Sequence, residues 1–524
     1  MLRYRQFLAS LAIVFSLALG PDVRALPSTS VAETPLLSHT SGTGVWYEIF
    51  VRSWYDTNGD GIGDLNGVTA KLDYLQSLGI DGIWLMPINA SPSYHGYDVT
   101  DYEAINPEYG TMADFEQLIA QAHKRHIQVI MDLVINHTSN KHPWFVAAHD
   151  PASPYRTWFT WATPGTDTKA LSATGTPAWH ELDGAYFLGD FSRGMPDLNY
   201  DNPAVRKQMI EVGRFWLAKG ADGFRLDAAR HIYDDLQSDT GKPQTLRKNV
   251  QWWSEFRRGL QQVRPDVYLV GEVAMQSPLQ LAPYMKPLGS VFDFPLAEQI
   301  ILSTRQENAS ALRAELAQSY AAFHKAAGHE FIDAPFLSNH DQERVLSRLD
   351  GNLDHMRVAA AILLTLPGRP FIYYGEELGV LGRKPDQDLR EPMRWDRDPI
   401  AAGQSRWKPV TSGQGPEISV QAEQDDPHSL LQVYRMLIHW REQQPLLRDG
   451  DLRVIDTGND SLAAYERFVG TRRVLVVHNL SGQPQAVKLA GKARASRVLL
   501  QSVIGASYAD GTLSLPAYAS VVLQ

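Results

Sequence analysis

Apolar positions along this chain follow two rhythms. Short, near-continuous apolar runs at 45–51, 80–87, 127–135, 221–227, 267–272, 290–294, 331–337 and 369–374 read as strands buried on both faces. Between most of them, apolar residues recur every three or four positions, the stripe of an amphipathic helix. These stretches are 67–78, 112–125, 203–219, 245–263, 308–326 and 354–366, with a last one at about 429–446. Repeated strand–helix units predict an α/β protein with a parallel sheet, and eight strands predict a closed (β/α)8 TIM barrel. A doubly wound open sheet competes. It would normally be shorter, and no glycine-rich phosphate loop follows the first strand.

The rhythm breaks twice. Residues 138–202 hold Pro, Gly, Trp and Tyr but no long helix. A structureless connection of that length is improbable, so a small domain inserted after strand three is predicted. The barrel then comprises 44–137 and 203–448. From 451 to 524 come short β runs separated by turns, "TRRVLVVHNL" and "GTLSLPAYASVVLQ" among them. They predict a C-terminal antiparallel β-sandwich.

The first 25 residues have a basic start at Arg3 and Arg5, an apolar run from Phe7 to Leu19, and small residues at Val23 and Ala25. That is the layout of a cleaved secretory signal, and the run is too short for a stable membrane span. Residues 26–43, rich in Ser, Thr, Pro and Gly, read as a linker. A secreted or periplasmic location follows, with no membrane association after signal removal. The chain has no Cys, which excludes disulfides and thiolate chemistry, and its core is large enough to do without staples. A net charge of −10 disfavours nucleic acid and anionic membranes as partners, so a neutral substrate is expected. A monomer is expected.

Candidate chemistry gathers at strand ends, where a parallel barrel carries its catalytic groups. Strand three ends "DLVINH", with Asp132 and His137, and strand four carries Arg225 and Asp227 in "GFRLDAARHIY". Strand five ends "LVGEV" with Glu272, and strand seven ends "FLSNHD" with His340 and Asp341. The loop after strand two, "HGYDVTDY", adds Tyr97 and Asp98. A single acid after a strand is ordinarily a helix cap. Four strands ending this way are harder to explain as caps. Residues i and i+2 of a strand lie roughly 6.6 Å apart on one face, so Arg225 reaches beside Asp227. A neighbouring guanidinium lowers an Asp pKa by about 1–3 pH units, which predicts an ionised Asp227. Glu272 has no basic residue within several positions and is predicted to be raised. Two carboxyls with separated pKa values suit glycoside hydrolysis.

In this order, "DLVINH", "GFRLDAARH", "GEV" and "FLSNHD" resemble the four signature regions of the α-amylase family of glycoside hydrolases, family 13. The likeness extends over nearly the whole chain after the signal. It implies that Asp227 is the nucleophile of a retaining reaction, Glu272 the acid/base, and Asp341 a third carboxylate that favours the distorted transition state. It implies that Arg225 orients the nucleophile, that His137 and His340 bond the sugar at the cleavage site, that Tyr97 stacks on it, and that Asp98 binds its hydroxyls. "MPDLN" at 195–199 resembles a fifth signature, in a form between those of the neopullulanase and oligo-1,6-glucosidase groups. Ala228 after the nucleophile favours α-1,4 bonds, and Arg230-His231 resembles the pair with which α-amylases contact the leaving side. The implied activity is endo-hydrolysis of α-1,4-glucans such as starch, glycogen and maltooligosaccharides. An α-glucosidase or 4-α-glucanotransferase of the family is the alternative, and a non-catalytic glucan-binding relative a remote one.

One further motif points to a metal. "DTNGDGIGD", 56–64, places Asp56, Asn58, Asp60 and Asp64 at positions one, three, five and nine of an EF-hand-like loop, with the Ile62 carbonyl at seven and Gly61 at the sharp turn. Gly67 stands where the closing Glu would be, and no helix is evident before the loop. Spacing alone leaves a cation and a solvated turn equally open. The family resemblance implies a structural Ca²⁺ here, with Mg²⁺ possible instead. A second family calcium would use Asn136, for which the sequence offers no convincing partners.

Overall fold

The computed structural model describes residues 44–489 and 495–524; the signal and linker expectations lie outside them. Seven strands form one parallel sheet: Val45–Ile49, Ile80–Leu85, Gln128–Leu133, Gly223–Leu226, Tyr268–Gly271, Ser290–Val291 and Phe371–Tyr373. The first six pair in chain order, and the last pairs back onto the first. The predicted seventh strand, 331–337, is not a continuous ladder. It closes the ring through single parallel bridges, Phe292 to Ala334 and Phe336 to Phe371. Pro335 explains this, because a proline in a strand gives the ladder no N–H. Its carbonyl still accepts from the Phe371 amide at 2.9 Å. The result is the (β/α)8 barrel.

Strand boundaries follow close backbone approach. A Cβ on Gly223 would stand 1.9 Å from the Tyr268 carbonyl oxygen, so only glycine lets strands four and five meet there. Alternate side chains of the strands fill the interior with Trp46, Trp84, Ile130, Tyr268, Val270, Phe292, Phe336 and Phe371. The barrel is therefore a packed core, and the polar cluster sits above it.

Two helices escaped the sequence reading, Pro278–Leu288 and Phe294–Arg305. The first contains Pro283 and Pro287, which disguise its period. The second is capped by the Asp293 carboxylate, which accepts from the Leu296 amide, and it takes Phe294 out of the expected strand. The predicted helix 67–78 is split at Lys71 into Leu65–Ala70 and Leu72–Leu78.

Between strands three and four, residues 138–202 hold a short helix, Pro143–Ala148, and a hairpin, Trp179–Leu182 with Ala185–Leu188. Past the barrel, a five-stranded antiparallel sheet faces a three-stranded one. Leu462, Ala464, Leu475, Val477, Val521 and Leu523 point between the sheets with Leu513 and Leu515. The intervening residues Ala463, Tyr465, Val476 and Val522 join the main core on the other face. This period-two split is what a sheet covered on both sides requires.

Candidate active site

One buried guanidinium organises the barrel mouth. Arg225, 1% exposed, lies in strand four above the Trp84 ring, 5.1 Å from its centre. Its Nη1 donates to both Asp132 oxygens at 2.8 and 2.9 Å and to Asp227 Oδ1 at 2.6 Å. Its Nη2 stands 2.8 Å from Glu272 Oε2. Acids from strand three and from the ends of strands four and five thus share one cation. Glu272 has no basic residue within several positions along the chain, yet Arg225 reaches it from the neighbouring strand, which spacing along one strand cannot show.

Burial also corrects the pKa reading of Asp227. Desolvation raises it above the ordinary carboxylate range, and Arg225 only partly opposes this because its charge is divided. Glu272 is raised by the same burial, again opposed by Arg225. Asp132 is pushed up to about 7 by burial. One cation facing three buried acids leaves a surplus of negative charge, which favours keeping a proton among them.

Asp341 behaves differently. Burial would raise it, but His340 and Arg390 outweigh that and hold it well below the usual range. His340 Nε2 lies 3.0 Å from Asp341 Oδ2, and Arg390 Nη2 donates to Asp341 Oδ1 at 2.7 Å. Burial alone would lower His340, yet Asp341 and Glu48 raise it to about 9. Its Nδ1 is 2.6 Å from Glu48 Oε1, on strand one. Glu48 and Arg390 were not among the candidates, and Asp132 was named without a role. Asp132 was visible at its strand end, but Glu48 is masked by an apolar strand, and Arg390 lies in a loop without periodicity.

Tyr97 packs its ring nearly parallel to His340, and its hydroxyl meets His340 Nε2 at 2.6 Å and Asp132 Oδ2 at 3.0 Å. His137 contacts the Tyr97 carbonyl through Nε2 and Asn136 Oδ1 through Nδ1. Burial lowers it to about 4, so it is neutral with a single N–H. Only one of those acceptors is therefore satisfied. Asp98 instead accepts from Ser91 and Ser93 and does not line the cleft. Arg230 is held by Asp234 at 2.7 Å, and His231 Nδ1 lies 3.1 Å from Asp190. Ala228 adopts φ +46°, a left-handed position, and its amide donates to Glu272 Oε2 at 2.9 Å.

These groups line a cleft of about 450 Å³ that contains Asp227, Glu272, Asp341, Tyr97, His137 and Arg390. Thr174, Phe191 and Met195 of the insertion form part of its wall. The cavity thus gathers two carboxyls held above the ordinary range beside one held below it, so it can supply both a proton and an anion to a bound substrate.

The sequence comparisons decide the family. Residues 48–450 match the family description "Alpha amylase, catalytic domain", and 462–522 match "Alpha-amylase SusG C-terminal domain". The chain belongs to the α-amylase family. It is 44% identical to "Alpha-amylase 3" of Dictyoglomus thermophilum over 83% of this chain and 84% of that one. It is 33% identical to an oligo-1,6-glucosidase of Parageobacillus thermoglucosidasius over 85% and 91%. The crystal structure of an α-amylase from H. orenii superposes with a TM-score of 0.84 at 43% identity, covering 92% of this chain and 99% of that one. As a member of this family, the protein is a glycoside hydrolase.

The EF-hand-like loop of this α-amylase-family chain is folded by its own side chains. Asp56 accepts from the amides of Asn58, Gly59 and Gly61, Asp60 from Ile62, and Asp64 from Gly67 and Thr57. A helical turn, Val51–Trp54, precedes it, where the sequence showed none. The donors are all oxygen, as a hard cation requires, though Asp56 Oδ1 already accepts two amides and Asp64 is engaged through both oxygens. Asp56, Asp60 and Asp64 do not bring one oxygen each within 4.8 Å of one another. Asn136 has company after all: its amide donates to the His231 carbonyl, and the buried carboxylates of Asp190 and Asp197 lie nearby along the same connections. Burial and mutual repulsion raise Asp197 well above the usual range.

Proposed function

We propose that this protein is a retaining, endo-acting α-amylase that cleaves α-1,4 bonds in starch, glycogen and maltooligosaccharides. The observation that carries the reading is the single Arg225 guanidinium touching both Asp227 and Glu272 at one cleft. Asp227 attacks the anomeric carbon as the anion. Glu272 gives its proton to the departing glycosidic oxygen, and a covalent glycosyl–Asp227 ester forms. Glu272, now a carboxylate, takes a proton from water as the water oxygen attacks the same carbon. The ester breaks, Asp227 is released, and Glu272 holds its proton again. Asp341, kept ionised by His340 and Arg390, stabilises the positive charge that builds on the ring. Tyr97 packs against the ring, and His137, His340, Arg230 and His231 bond hydroxyls.

The endo assignment is supported by the likeness to a relative named α-amylase and by the open cleft. The relatives include an oligo-1,6-glucosidase and 4-α-glucanotransferases, so product analysis is the test. With a reducing-end-labelled maltooligosaccharide, endo cleavage yields mixed lengths from the start, as α anomers. Glucose as the sole early product would make it an α-glucosidase. Products longer than the substrate would make it a transferase.

The loop 56–64 binds a structural Ca²⁺ through Asp56, Asn58, Asp60, the Ile62 carbonyl and Asp64, which would brace the first barrel loop. The chain is exported through a cleaved signal and works as a monomer. The all-oxygen donor set and the basic–apolar N-terminus support these readings.

A further inference from the structure

Away from the cleft, a small cluster joins the barrel to the C-terminal sheets. Helix Ser310–Ala327 ends at Gly328, and strand Asp451–Val454 opens the five-stranded sheet beside it. Gly328 has φ +64° and ψ −123°, a backbone conformation suited to glycine, with open space around its missing Cβ. That turn swings His329 back, so its ring lies 4.9 Å from the His324 ring, nearly edge-on. Asp451 Oδ1 stands 3.1 Å from His324 Nε2.

We propose that His324, His329 and Asp451 form a divalent-metal site, of the kind Zn²⁺ occupies, that ties the barrel to the C-terminal domain. Among the described residues, only these three His, Cys, Asp or Glu side chains bring ligand atoms within 4.8 Å of one another. Three arguments carry the assignment. First, His324 Nδ1 is 2.9 Å from the Gly328 carbonyl. A carbonyl can only accept, so Nδ1 carries a proton, which leaves Nε2 as the nitrogen that a metal would take, the arrangement usual in metal-bound histidines. Second, two ligands on a tetrahedral zinc, each about 2.0–2.2 Å from the ion, lie roughly 3.3 Å apart. The His324–Asp451 separation of 3.1 Å already matches this. Third, the cluster sits at a helix C-terminus, whose dipole favours a cation.

The ion pair alone would not need His329. A neutral His324 with Nδ1–H also cannot donate to Asp451 through Nε2, so the 3.1 Å contact sets two acceptor atoms together unless a cation or a proton lies between them. A proton on Nε2 or a metal resolves that, and a metal would also gain His329, whose ligand atom lies within 4.8 Å, as a third partner. His324 and Asp451 are each about a third exposed and His329 more so, which leaves an entry path and room for a water as fourth ligand.

The test uses the full-length enzyme stripped of metal and re-supplied with Ca²⁺. Calorimetric titration with Zn²⁺ should show one site, and Zn²⁺ should raise the thermal midpoint. Co²⁺ at the same site should give the visible absorption bands of a tetrahedral centre. His329→Ala, an exposed change, and Asp451→Asn should each remove that site, the midpoint rise and the Co²⁺ bands, while starch-cleaving activity without Zn²⁺ is unchanged. Zn²⁺ binding with the same stoichiometry and affinity in both variants would overturn the proposal. So would wild-type protein that binds no Zn²⁺ in the calorimetric titration.

Discussion

Glu48→Gln isolates the electrostatics of the third carboxylate by removing one charge behind His340. Glu48 lies in strand one, 2% exposed, and its carboxylate holds His340 Nδ1 at 2.6 Å. His340 in turn contacts Asp341. Folding raises the His340 pKa from 6.5 to about 9. For a group raised on folding, the stabilisation is whole below the unfolded value and is lost as pH climbs through the folded one. The window is therefore pH 6.5 to 9, and the rise corresponds to about 3 kcal/mol, with no discount for solvent because the ring is buried. Glutamine keeps an acceptor for Nδ1 but removes the charge, so the His340 pKa should fall by about 1–3 pH units. The variant should lose about 1.5–3 kcal/mol near neutral pH, the worth of a charged hydrogen bond. Denaturant unfolding at several pH values should show that gap closing towards pH 10, where wild-type His340 also loses its proton. The alkaline limb of activity should move down by the same interval, since neutral His340 no longer shields Asp341. Comparing the two proteins cancels buried groups that titrate in this range without facing Glu48, such as Glu423 at about 8. Parallel stability curves from pH 7 to 10 would refute the reasoning.

Asp227→Asn should abolish hydrolysis, by about 10³-fold or more, while circular dichroism still reports a cooperative fold. An active variant would displace Asp227 from the nucleophile role. Arg390→Ala removes one of the two cations on Asp341 and should cut kcat/KM by about 30- to 1000-fold, equivalent to about 2–4 kcal/mol, in steady-state assays on maltooligosaccharides. Chelation with EGTA should lower the thermal midpoint by about a few °C, and excess Ca²⁺ should restore it. Asp60→Asn should be insensitive to that treatment.

Much of this was legible because both main signals are local. Continuous apolar runs mark strands covered by helices, and acids placed directly after such runs mark the barrel mouth. Asp227, Glu272, Asp341, Tyr97 and His137 all reach one cleft on that logic alone. What stayed hidden depends on contacts between distant segments. Arg225 reaching Glu272 crosses from strand four to strand five, and Arg390 reaches Asp341 across 49 positions. Burial was also invisible, which is why Asp227 was expected low and is raised. Prolines misled twice, by thinning strand seven at Pro335 and by masking the helix that holds Pro283 and Pro287.

The shared guanidinium of Arg225 makes fold and catalysis inseparable at the rim. Three strands hold their acids in place through a single positive charge, so deleting it would leave Asp132, Asp227 and Glu272 repelling one another inside the protein. Engineering of specificity therefore has little freedom beside the reacting bond. It has more in the insertion, where Thr174, Phe191 and Met195 border the same cavity without sharing that charge.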